Sequence, residues 1–245
     1  MARYKAVIEY DGTDYAGFQR QTNGPTVQGE LESALAAIND GNAVGVLGAG
    51  RTDSGVHAAG QVVAFDLNWP HGTGPLTRAL NANLPGAIAV KSAVECEPDF
   101  HPRFWATGRR YRYTIWNAPI RSPLRERYAW QVWPALDVTA MADAGARLIG
   151  RQDFAAFGTA PDANGHTVRE VREAHWEVFD KTLDFYISAD AFLYRMVRSI
   201  VGTLKQVGAG EITPDGFGAI VESKDRRRAS PTAPPRGLCL IEVIY

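Results

Sequence analysis

The stretch "GAGRTDSGVHAAGQVVAFD", residues 48–66, sets Arg51, Thr52, Asp53 and Ser54 between glycines and then runs into an apolar strand. Glycine permits tight backbone conformations, so a turn of this kind lifts its polar side chains out at the end of a strand, where catalytic groups are often carried. Asp and Ser also favour turns through local hydrogen bonds alone, so from these residues both readings stand.

Working outward, the pattern is mixed α/β. Residues 3–10 alternate Tyr4, Ala6 and Ile8 against Arg3, Lys5 and Glu9, which predicts a half-buried strand. Residues 26–38 repeat Val27, Leu31, Leu35 and Ile38 behind Thr26, an amphipathic helix with its cap. Strands are expected at 43–48, 61–67 and 87–93, with a helix at 75–83. After residue 105 the pattern restarts. RRYRYTIW reads as a strand, LDVTAMADAGARLIG as a helix closed by Gly150, and VREAHWEVFDKTLDFYISA as two strands joined at Asp180-Lys181. A long helix is expected over about 190–207, then a shorter one opened by Thr213-Pro214, then the strand LCLIEVIY. Two subdomains follow, 1–105 and 106–245, the second including the final strand.

The 245 residues, 45% hydrophobic and 22% charged, suit an ordinary globular protein with a substantial core. No signal-peptide core or apolar run of membrane-spanning length occurs, so no membrane association and a cytoplasmic location are expected. Cys96 and Cys239 stand apart and are expected to be buried thiols. Net charge is −1, but the distribution is uneven. Residues 103–127, RFWATGRRYRYTIWNAPIRSPLRER, hold seven arginines and one acid, interleaved with aromatic residues. Arginine forks suit phosphate and stack on bases, so this is an RNA-like signature, set against the plainer reading of a solvated strand face. In FLYRMVRSIVGTLKQVG, Phe192, Met196, Ile200, Val201, Leu204 and Val207 form one stripe, with Arg195, Arg198 and Lys205 on another side.

Other chemistry is thin. Asp53 occupies the third-glycine position of a dinucleotide fingerprint and no P-loop exists, which argues against a nucleotide cofactor. The five histidines never stand at HxH or HxxxH spacing, so no metal is expected. Without a GxSxG elbow, a carboxylate is the best local candidate for a nucleophile.

GRTDSGVHA at 50–58, YDGTDYAGFQRQ at 10–21, RRYRYTIWN at 109–117, FLYRMVR at 192–198 and PTAPPRGLCL at 231–240 together resemble the tRNA pseudouridine synthase A family, end to end and in order. Gln152 and Ser230 depart from that pattern outside the catalytic motif. The resemblance implies an α/β (mixed α+β) pseudouridine-synthase fold, two similar subdomains whose antiparallel sheets join around a central active-site cleft. It also implies isomerisation of uridine to pseudouridine at positions 38, 39 and 40 of the tRNA anticodon stem-loop, without cofactor or metal, by a homodimer.

Uracil must leave the ribose, rotate and return through C5, so the reaction needs a carboxylate able to attack sugar or base. By the resemblance Asp53 is that carboxylate, Arg198 pairs with it, and Arg51 helps to flip the base. Tyr111 stacks on the flipped uracil, and its hydroxyl is a candidate for handling the C5 proton. Leu238 closes the pocket or lies in the core. Arg109 and Arg125, from the basic stretch, are candidate phosphate contacts. His57 is expected to support the turn. Two other readings stay open, a non-catalytic RNA-binding or RNA-chaperone protein and a carboxylate-dependent nucleoside hydrolase.

Overall fold

The computed structural model describes residues 1–160 and 165–245; residues 161–164, within the stretch 158–168, lie outside it. The chain divides into two compact units. One comprises Met1–Thr107 with Cys239–Tyr245, and the other Gly108–Leu238.

In the first unit, β1 (Ala2–Tyr10) lies antiparallel between β3 (His57–Leu67) and β4 (Ile88–Glu95). Tyr4, Ala6, Ile8 and Tyr10 point into the core, as the alternation predicts. β2 is only Leu47–Gly48, antiparallel on β3, shorter than the strand expected at 43–48. The helix α1 (Val27–Ala37) opens on Thr26, whose side chain accepts from the Gly29 N–H, and α2 spans Thr73–Asn83. β3 is buried along nearly all its length.

The second unit has an antiparallel sheet in the order β5 (Gly108–Asn117), β9 (Thr182–Ala189), β8 (Val168–Phe179), β7 (Gly150–Asp153). The short β6 (Trp130–Val132) runs parallel to β5. The β8–β9 hairpin turns at Asp180, whose φ of 52° is the left-handed conformation that Asp tolerates in a tight turn. Three helices complete it, α3 (Val138–Ala146), α4 (Met196–Gly208) and α5 (Pro214–Ser223).

Several expectations are corrected. The final strand β10 (Leu238–Ile244) was assigned to the second subdomain by its place in the chain. Instead Cys239–Tyr245 belongs to the first unit and pairs parallel with β3, Cys239 opposite His57. A parallel pairing of segments so distant in sequence leaves no local trace. The long helix starts at Met196, not 190, because Arg195 takes the left-handed conformation (φ 60°). Phe192 packs on a strand residue and Tyr194 bridges to Thr159, so this apolar run is used outside the helix. α3 stops at Ala146, and Gly150 opens β7. Cys96 and Cys239 are half-buried. No helix among the described residues is long and apolar enough to cross a membrane.

Candidate active site

The loop carrying Asp53 joins β2 to β3 and rests on residues 10–18. Phe18 donates its N–H to the Thr52 carbonyl at 3.1 Å, the Tyr10 hydroxyl meets Thr52 Oγ1 at 2.8 Å, and Ser54 Oγ donates to the Tyr15 carbonyl at 3.1 Å. Gln61, fully buried on β3, donates Nε2 to the Gly50 carbonyl at 2.9 Å. Val56 N–H to Asp53 carbonyl, 3.1 Å, closes the turn. A Cβ on Gly12 would stand 2.0 Å from the Val56 carbonyl oxygen, and one on Gly17, at φ 116°, 2.8 Å from that of Thr52. Only glycine lets the two backbones approach this closely.

Asp53 is therefore half-buried on a main chain fixed from several sides, with Thr52 buried and Arg51 exposed beside it. A carboxylate so placed keeps contact with solvent while its position is set, which suits a nucleophile. His57 is buried behind the loop; its Nδ1 accepts from the Gly12 N–H at 3.1 Å and lies 3.2 Å from Asp11 Oδ1. Sequence reasoning passed over Gly12, Gly17 and Gln61. The glycines of YDGTDYAGF were the available signal.

In the second unit the arginines of RRYRY divide by strand face. On one face Tyr113 and Ile115 are buried, Tyr111 is half-buried with the Phe192 ring edge-on at 5.0 Å, and Arg109 donates Nη1 to the Asp190 carbonyl at 3.1 Å. On the other, Arg110 pairs with Glu173 at 2.8 Å and lies over the Tyr186 ring, while Arg112 stands 3.9 Å from Asp184. Exposed Arg125 covers the ring of Trp116, opposite Thr182 at the far end of β5. At strand rise that is roughly 23 Å from Arg109, so the two candidate phosphate contacts are not brought together.

Three of the motif segments do meet. Arg198, half-buried in the first turn of α4, donates Nε to the Ala233 carbonyl at 2.8 Å, and Ala233 N–H returns a bond to the Arg198 carbonyl at 3.0 Å. The Tyr113 hydroxyl donates to the Pro234 carbonyl at 2.8 Å, and burial pushes its pKa well up. Leu238 is buried just beyond the 3-10 turn Pro235–Gly237. The side of α4 that carries Arg198 and Lys205 is not a solvated face: the helix is buried nearly all round, Ser199 and Thr203 included, and Arg198 and Lys205 are half-buried. Gln152 holds the carbonyls of Arg147 and Ile149. Its neighbour Asp153 accepts from Thr167 Oγ1 and Ala155 N–H, bonds that hold its carboxyl below the usual range. Among the described residues no group of three or more His, Cys, Asp or Glu could hold a metal ion.

The sequence profile described as tRNA pseudouridine synthase matches residues 6–105 and 144–245. The chain belongs to the tRNA pseudouridine synthase family. It is 46% identical to a Myxococcus xanthus protein named tRNA pseudouridine synthase A, over all of this chain and 92% of that one. The same name belongs to proteins of Acetivibrio thermocellus and Geobacter sulfurreducens, 43% and 44% identical, each over the full length of both chains. Uridine and pseudouridine contain the same atoms, so enzymes of this family are isomerases, and the mixed α/β architecture is consistent with their fold.

Proposed function

We propose that this protein isomerises uridine to pseudouridine at positions 38, 39 and 40 of the tRNA anticodon stem-loop. Asp53 is the nucleophile. The target base flips out of the stem with the help of Arg51, Tyr111 stacks on it, Arg198 pairs with the Asp53 carboxylate, and Leu238 closes the pocket. The enzyme works in the cytoplasm as a homodimer, with no cofactor or metal and with tRNA as its partner.

The observation that carries this reading is identity of 43–46% over the whole chain with proteins named for the activity. It is supported by a loop built to hold one carboxylate in place without burying it completely. Mapping carbodiimide primer-extension stops after incubation with unmodified tRNA tests it. New stops at 38–40 are expected. Free uracil would indicate a hydrolase, and bound but unchanged tRNA a chaperone.

A further inference from the structure

Arg169, on β8, is 7% exposed. Its Nη1 donates to the carbonyls of His166 at 2.9 Å and Val168 at 2.6 Å and lies 3.3 Å from His166 Nδ1. Its Nε is buried and has no hydrogen-bond partner, and no carboxylate among the described residues comes within ion-pair distance. The acid whose charge reaches it, Asp190, already accepts through Oδ1 from the N–H groups of Glu170 at 3.0 Å and Ala191 at 2.7 Å. Burial lowers the guanidinium pKa, yet the group stays charged. A buried cation that meets only neutral acceptors is costly, and an anion bound beside it would offset that cost.

Its place fits that use. Arg169 and Val171 are buried on one face of β8 while Glu170 and Arg172 are exposed. Val171 pairs with Ala189, and Ala189 with Arg109, so Arg169 shares a sheet face with Arg109 and Tyr111. β8 and β5 flank β9, about 10 Å apart, and Arg169 sits one row beyond Arg109, within reach of two extended arginine side chains converging on a single group. In the sequence Arg169 reads only as one more charge in VREVRE.

We infer that Arg169, with Arg109, forms a phosphodiester site on the Tyr111 face of the second unit, gripping an RNA backbone phosphate beside the target uridine. This rests on the RNA-modifying function proposed above. An arginine guanidinium takes a phosphate through two parallel bonds, which fixes the nucleotide's orientation as well as its position.

The test uses the full chain and two substitutions, Arg169→Gln and Arg169→Lys. If the site is real, Arg169→Gln weakens tRNA affinity and flattens the slope of log Kd against log salt by about one. Arg169→Lys restores the slope but not the full affinity, because an ammonium keeps the charge and loses the fork. Substrate RNAs with one methylphosphonate next to the target uridine provide a readout on the wild type. Neutralising the gripped phosphate should weaken wild-type binding several-fold and leave Arg169→Gln unchanged. A variant that melts earlier but keeps the wild-type salt slope, or a wild type indifferent to every such neutralisation, overturns the site and leaves Arg169 a clamp on residues 166–168. A wild type that binds unmodified tRNA without converting it overturns the functional reading instead.

Discussion

The loop around Asp53 and the Tyr111 face of the second unit are held by different means. The loop is fixed by main chain, by neutral hydroxyl and amide groups, and by two glycines that allow backbone to press on backbone. On the Tyr111 face, long cationic side chains reach main-chain carbonyls: Arg109 to Asp190, Arg169 to His166 and Val168, Arg198 to Ala233. A loop of the first kind sets the position of one carboxylate and adds almost no charge of its own. A hydrogen bond to a carbonyl instead fixes the direction of a guanidinium, whose planar fork matches the geometry of a phosphate. The first device suits a reacting group, the second recognition of RNA.

The comparison breaks most clearly at Asp53. Asp53→Asn keeps the size and most of the hydrogen bonding, so turnover should fall to background while tRNA affinity persists. Single-turnover pseudouridine formation and a filter-binding Kd together decide it; appreciable residual conversion removes Asp53 from the role of nucleophile.

Gly12→Ala tests how rigidly the loop is set. The added methyl meets a carbonyl oxygen of the main chain, not a flexible side chain, so the loop itself must shift. Overpacking of this kind costs about 1–3 kcal/mol, and a displacement of about 1 Å at a reacting group can cost on the order of a hundred-fold in rate. Gly45, with nothing within 4 Å of an added Cβ, is the control, and Gly45→Ala should change neither melting temperature nor rate. Equal effects at the two positions would mean that the close approach does not govern the loop.

Arg198→Ala should cost a similar amount of stability, about 1–3 kcal/mol, by leaving the Ala233 carbonyl without its donor, and should lower turnover steeply. If Arg198 serves Asp53, adding Arg198→Ala to Asp53→Asn should slow the reaction hardly further. Fully additive losses would separate the two residues.

What the sequence disclosed follows from the range of each interaction. The alternation of β1, the Thr26 and Thr213 caps and the turn at Asp180 depend on residues a few positions apart, and the structure contains all of them. The parallel pairing of β10 with β3 depends on segments far apart in the chain. The start of α4 was hidden because Phe192 and Leu193 continue its apolar spacing, although Phe192 packs against Tyr111. At the candidate site, the motif GRTDSG pointed to Asp53, but not to Gln61 or Gly12, which build its support from other segments. The arginine-rich stretch was visible as composition; which arginines already have acid partners depends on strand register.

That last distinction yields the smallest effect and the finest test. A phosphate contact contributes about one unit to the slope of log Kd against log salt, because counterions are released as it forms. Exposed Arg125, stacked on Trp116, should contribute such a unit if it tracks the RNA backbone, so Arg125→Gln flattens the slope by about one. Arg110 and Arg112 already face Glu173 and Asp184 across the sheet, and a paired guanidinium has little net charge left to displace counterions. Arg110→Gln and Arg112→Gln should therefore leave the slope within a few tenths of the wild type. Equal flattening by Arg112→Gln and Arg125→Gln would mean that binding draws arginines out of their ion pairs, so that a carboxylate partner does not mark an arginine as structural.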